Sequence, residues 1–168
     1  MRQCTVIFGI RCAFLALTAA LALTPAAGNA AGADVVTEMY TWWNKAIYSP
    51  YELNPAAFGK YYTQEAALKL NGVVVDKGVD NISKRFVAIS SHGGKVENIM
   101  PALVVFQSGD QVFMQHLIYS ARDGKEVCMI AAGHADLVGG KIAVMDIVRT
   151  EITAASGDIY AQCLKTHK

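Results

Sequence analysis

The sequence predicts an α+β domain: a curved antiparallel sheet of four long strands plus a small hairpin, forming a cone wrapped around N-terminal helices. Three observations carry that expectation. Four apolar runs rich in Val, Ile, Phe, Met and Tyr follow one another at 96–107, 111–121, 126–137 and 142–152. They are separated by Ser108-Gly109-Asp110, by Arg122-Asp123-Gly124-Lys125 and by Val138-Gly139-Gly140-Lys141, and such Gly-containing turns accept positive φ at low steric cost. The helical patterns come before these runs and do not alternate with them, which collects helices on one face of the sheet. The runs are long for strands, so the sheet must bend.

The elements follow in order. Asp34 is a fitting N-cap for a helix reaching about residue 48. Val36, Met39, Tyr40, Trp43 and Ile47 recur on one of its faces. Tyr40 and Trp43 then belong to the core or also roof a pocket. Ser49-Pro50 ends the helix. Asn54-Pro55 opens a short one that carries Phe58, Tyr61 and Tyr62. A small hairpin turns at Asn71-Gly72. After Gly78, Val79, Ile82, Phe86 and Ile89 mark a third helix, and His92-Gly93-Gly94 leads into the long strands.

The chain of 168 residues suits one domain. Residues 1–33 have the layout of a secretory signal peptide: Arg2 and Arg11 in a basic start, an apolar run at 13–23, then Pro25 and small residues. That run is too short for an ordinary membrane span. The expectation is an exported, periplasmic or secreted domain over 34–153 with a C-terminal tail over 154–168. Without its leader the chain carries 13 basic residues against 14 acidic ones. No basic stripe appears, which argues against nucleic acid as a partner. No later apolar run is long enough to span a membrane. Cys128 and Cys163 remain after the leader is removed. They are either one disulfide tying the tail to the sheet or two thiols. No metal-binding pattern and no cofactor motif stands out.

Strand register predicts which side chains share the pocket. Two-residue turns at Asp123-Gly124 and Gly139-Gly140 would set His116 opposite Ala131 and Gly133 opposite Asp146. Side chains alternate faces with period two. His116, Met114, Ile118, Met129, Ala131, Gly133, Ala135, Val144, Asp146 and Val148 would then face inward, with room left by the small residues. His116 and Asp146 would stand roughly 10 Å apart laterally, at ~4.8 Å per strand. A buried Asp or His in a strand also serves as hydrogen-bonded structure alone, and both readings stay open. The opposite face, with Phe113, Leu117, Tyr119, Ile130 and Ile147, is apolar enough to expect a homodimer through the sheet.

The order of elements, together with Tyr61-Tyr62-Thr63-Gln64-Glu65-Ala66, Asn71-Gly72, Gly78 before Asp80 and Ile82, Gly140-Lys141-Ile142 and Met145-Asp146-Ile147, resembles the nuclear transport factor 2-like superfamily, and within it the SnoaL-like group. The resemblance covers nearly all of the chain after the leader. It implies a cone-shaped sheet with a deep apolar cavity, often in a dimer, in a family of isomerases, cyclases, dehydratases and proteins without known activity. Ketosteroid isomerase-like members carry two acids at positions where this chain has Leu70 or Asn71 and Ala132 or Gly133. SnoaL-like members carry a pocket aspartate after a tryptophan. Asp146 matches the aspartate, and Met145 stands in place of the tryptophan.

Two functions follow as expectations. One is a non-catalytic binding or assembly domain of the cell envelope, holding a small apolar molecule against Tyr40, Trp43, Phe58, Tyr62, Met114, Met129, Ala131 and Gly133. The other is acid–base chemistry beside a carbonyl, with Asp146 as base and His116 as its partner.

Overall fold

The computed structural model describes residues 31–165, with side chains from residue 35 onward. The expected leader lies outside the described residues except for 31–33. Helix α1 (Ala31–Ala46) begins three residues before the expected Asp34 cap. Val36, Met39, Tyr40, Trp43 and Ala46 are all buried, a stripe at helical spacing that presses into the core. A 3-10 turn (Pro50–Glu52) leads to the short helix α2 (Pro55–Phe58), where Asn54 Oδ1 accepts the Ala57 N–H at 3.0 Å. Strands β1 (Tyr62–Leu70) and β2 (Val73–Lys77) form the small hairpin. Its turn holds Asn71 at φ 50° and Gly72 at φ 81°, the paired positive φ that suits the twist of a two-residue hairpin. Helix α3 (Val79–Ser91) follows. The long meander is β3 (Lys95–Ser108), β4 (Gln111–Arg122), β5 (Lys125–Val138) and β6 (Lys141–Ile152).

All six strands join one curved, unclosed sheet in the order β2-β1-β6-β5-β4-β3. The meander is antiparallel throughout. The sheet as a whole is not: β1 runs parallel to β6. β2 already covers one edge of β1, and the returning last strand takes the other edge in the same direction. The expected all-antiparallel sheet is therefore a mixed one.

Register decides the faces. Arg122 pairs with Lys125 and His116 with Ala131, as the two-residue turn requires. Between β5 and β6 the pairing starts as expected, Val138 with Lys141 and Leu137 with Ile142. Ala143 then has no partner, and Asp136 pairs with Val144. This bulge moves every later residue of β6 by one, so Gly133 stands opposite Ile147 and His134 opposite Asp146. Met145 and Ile147 are buried in the core, whereas Val148 is 62% exposed. The expectation that Asp146, Val144 and Val148 point into the cone is thereby corrected.

Gly133 is a point of close approach between β5 and β6. A Cβ there would lie 2.0 Å from the Asp146 carbonyl oxygen, so the two backbones approach more closely than any side chain permits.

The tail expected over 154–168 is folded as far as it is described. A 3-10 turn (Ala154–Ser156) precedes helix α4 (Asp158–Lys165), and Cys163 is bonded to Cys128. The helix packs Ile159, Tyr160 and Leu164 over Ile99, Leu117 and Tyr119 on the outer face of the sheet. Leu117, Tyr119 and Ile130 are thus covered by their own chain, and Ile147 faces inward. Of the outer face expected to pair with a second copy, only Phe113 remains. It stacks on Phe106 at 5.1 Å, near exposed Val104 and Val148.

Candidate functional site

The cone encloses a cavity of about 70 Å³. Helix α1 supplies Met39, Tyr40 and Trp43 as its roof, and Phe86 of α3 closes one side. Trp43 meets Phe86 edge-on at 4.0 Å and donates its indole N–H to the Val96 carbonyl at 2.7 Å. That bond satisfies the one polar atom of a buried ring. The floor is Tyr62, Leu68 and Leu70 of β1, Val96 and Asn98 of β3, Ile118 of β4, and Met145, Ile147 and Arg149 of β6. The alternation of Met145, Ile147 and Arg149 on this wall is the direct product of the bulge at Ala143.

Of the residues expected to hold a ligand, Tyr40, Trp43 and Tyr62 line the cavity. Phe58 does not. It is fully buried behind the wall, stacked on Phe86 at 5.9 Å. Met114 and Ala131 are closed into the core, and Met129 packs against its margin. Gly133 leaves no room for ligand, because its missing side chain is occupied by the Asp146 carbonyl. Asn98, Met145 and Arg149 were not expected on the wall. The bulge that brings in Met145 and Arg149 carries no Gly or Pro to announce it.

His116 faces inward beneath Tyr40 at 4.8 Å between ring centroids and is 1% exposed. Its Nε2 lies 3.0 Å from Asn98 Oδ1, so this nitrogen carries the proton and donates. Asn98 is fixed in turn by Asn44, which accepts its backbone N–H at 2.9 Å and donates to its carbonyl at 2.6 Å. The His116 Nδ1 is buried without a hydrogen-bond partner. Burial disfavours the charged imidazole and pushes its pKa down to about 4. Such a ring is neutral at pH 7 and a weak base.

Asp146 stands on the other side of the sheet, opposite His134 and 3.4 Å from Lys69 Nζ. The expected pair of Asp146 and His116 is therefore not assembled; the sheet itself separates the two groups. The phenols of Tyr40 and Tyr62 are both held protonated by burial, Tyr40 further by its proximity to Tyr62. Among the described residues no group of three His, Cys, Asp or Glu side chains gathers to hold a metal ion. No helix among them is long and apolar enough to cross a membrane.

The chain matches no family model and no curated protein in sequence. Solved structures share its fold. A nuclear transport factor 2-like protein from Anabaena variabilis superposes with a TM-score of 0.56 at 12% identity, covering 74% of this chain and 92% of that one. An LEH-like epoxide hydrolase from M. tuberculosis gives 0.55 at 10% identity over 80% of this chain and 85% of that one. A protein from a soil-derived mobile gene cassette gives 0.55 at 20% identity over 78% and 92%. The fold is thus the nuclear transport factor 2-like cone, and its structural neighbours include enzymes.

Proposed function

We propose that this chain, which has the nuclear transport factor 2-like fold, is an exported domain that holds a small, largely apolar molecule in its cone and does no chemistry on it. One observation carries the reading: the wall of the cavity is mostly aromatic and aliphatic, with Asn98 and Arg149 among its few polar members, and it bears no carboxylate or imidazole that could act as a base. The expected base lies across the sheet, and the inward imidazole sits behind the wall with a depressed pKa. A cavity of about 70 Å³ is small beside the usual range of ligand pockets, roughly 300–1,000 Å³. It suits a molecule of few heavy atoms, with Met39 and Met145 as the adaptable part of the wall.

Saturation-transfer NMR with 3-methylbutan-1-ol tests the reading. The alcohol should receive magnetisation from the protein, and Ile147→Phe, which fills the void, should abolish the transfer. Transfer that persists unchanged in the filled variant would place binding elsewhere and end the proposal.

Export is supported by the leader-like layout of residues 1–33 and by the Cys128–Cys163 bond, since such bonds persist in oxidising compartments. Intact mass of protein recovered from the cell envelope should lack about thirty residues. Pairing of two copies through the sheet is supported by the exposed apolar side chains Val104, Phe106 and Val148 around Phe113.

A further inference from the structure

The polar side chains on the cavity wall are donors seeking acceptors. The Tyr40 hydroxyl has only Met145 Sδ, at 4.0 Å, and the Tyr62 hydroxyl only Met39 Sδ, at 3.9 Å. A thioether sulfur is a weak acceptor, so both phenols keep donor capacity in a buried setting where an unmade bond is costly. Asn98 uses its Oδ1 on His116, and its Nδ2 has no hydrogen-bond partner among the described residues. Arg149 lines the same cavity and is partly solvent-exposed. No described carboxylate lies within ion-pair distance of its guanidinium. Asp146 is on the other face with Lys69. Glu151, which shares the Arg149 face two positions on, is exposed and forms no ion pair with it.

The wall therefore combines an apolar interior, a cation at its rim and an excess of donors, with no acid to balance them. We infer that the cone takes a small monocarboxylate, its hydrocarbon tail inward against Trp43 and Met145 and its carboxylate at Arg149. This rests on the ligand-binding reading above and specifies its ligand class. A planar carboxylate matches the fork of guanidinium N–H groups with two parallel bonds. A bare inorganic anion would leave the apolar wall unused.

The test compares molecules with one tail and different heads. Isovalerate, isovaleramide, 3-methylbutan-1-ol and 3-methylbutan-1-amine are titrated into the purified protein and followed by NMR. Isovalerate should bind about tenfold more tightly than the amide, because the charged pair is lost in the amide. The ammonium analogue should bind least. Arg149→Gln should bring the acid down to the level of the amide, with an amide NMR spectrum of unchanged dispersion showing that the variant is folded. Arg149→Lys should keep part of the preference. Equal affinity for acid and amide in the unmodified protein, or a preference that survives Arg149→Gln, overturns the inference but leaves the apolar-binding reading standing. If none of the four molecules binds, both fall.

Discussion

Asp146 stands opposite His134 across the β5–β6 ladder, and its carboxylate reaches Lys69 on the neighbouring strand. One unpaired residue, Ala143, produces this placement and decides which half of β6 lines the cone. Asp146→Asn should then cost less than about 1 kcal/mol, as expected for a half-exposed ion pair. Ligand binding in the cone should not change. Urea unfolding and the isovalerate titration check both. A lost binding signal in a folded Asp146→Asn variant would return the carboxylate to the interior.

Gly133→Ala should destabilise the fold by about 3 kcal/mol, near the top of the range for overpacking. The added methyl meets a carbonyl that the ladder holds in place, not a movable side chain. Thermal unfolding against the wild type gives the difference.

The Cys128–Cys163 bond closes a long loop. Chain-entropy arguments give it about 4 kcal/mol of stabilisation. Replacing both cysteines by Ala should lower the urea midpoint accordingly. It should also loosen α4, an eight-residue helix too short to persist without packing. Increased binding of an apolar dye to the bared Ile99, Leu117 and Tyr119 surface would report that release.

His116 titrates at about 4 in the folded chain, against the ordinary 6.5. The unfolded chain binds the proton more readily, so this contribution is fully present above pH 6.5 and is lost as pH falls toward 4. The total is about 3 kcal/mol. His116→Gln should show a flatter fall in stability between pH 7 and 4.5. An identical profile in wild type and variant would mean that the imidazole is not the group responsible.

Phe106→Glu should convert any dimer into monomers as read by light scattering, since the side chain is 53% exposed on the outer face. Leu117→Arg is expected to act differently. It buries a charge under α4 and unfolds the region instead of separating two intact copies.

Much of the fold was legible because its signals are local. Asp123-Gly124 fixes a two-residue turn, and from it the whole β4–β5 register follows, including the inward aim of His116. Asn54-Pro55 and Asn71-Gly72 likewise mark the ends of their elements. The face of β6 was not legible, because Ala143 is an ordinary strand residue and the bulge arises from how the strands meet. Ile147 was assigned to the wrong face for the same reason, and Arg149, two residues on, follows it inward. Helix α4 left a trace in the spacing of Ile159, Cys163 and Leu164, but it is too brief for periodicity to stand out. That helix also explains why the apolar outer face looked larger in sequence than it is in space.

The parallel pairing of β1 with β6 has a kinetic consequence. Lys69 and Asp146 are neighbours in the sheet yet are separated by almost half the chain. Until β6 has been synthesised, β1 has only β2 beside it, and the roof formed by α1 has no completed floor to rest on. Closure of the cone therefore has to wait for β6 and carries the loop entropy of joining residues so far apart in the chain. A chain built this way keeps its cone open until residues 141–152 have been added.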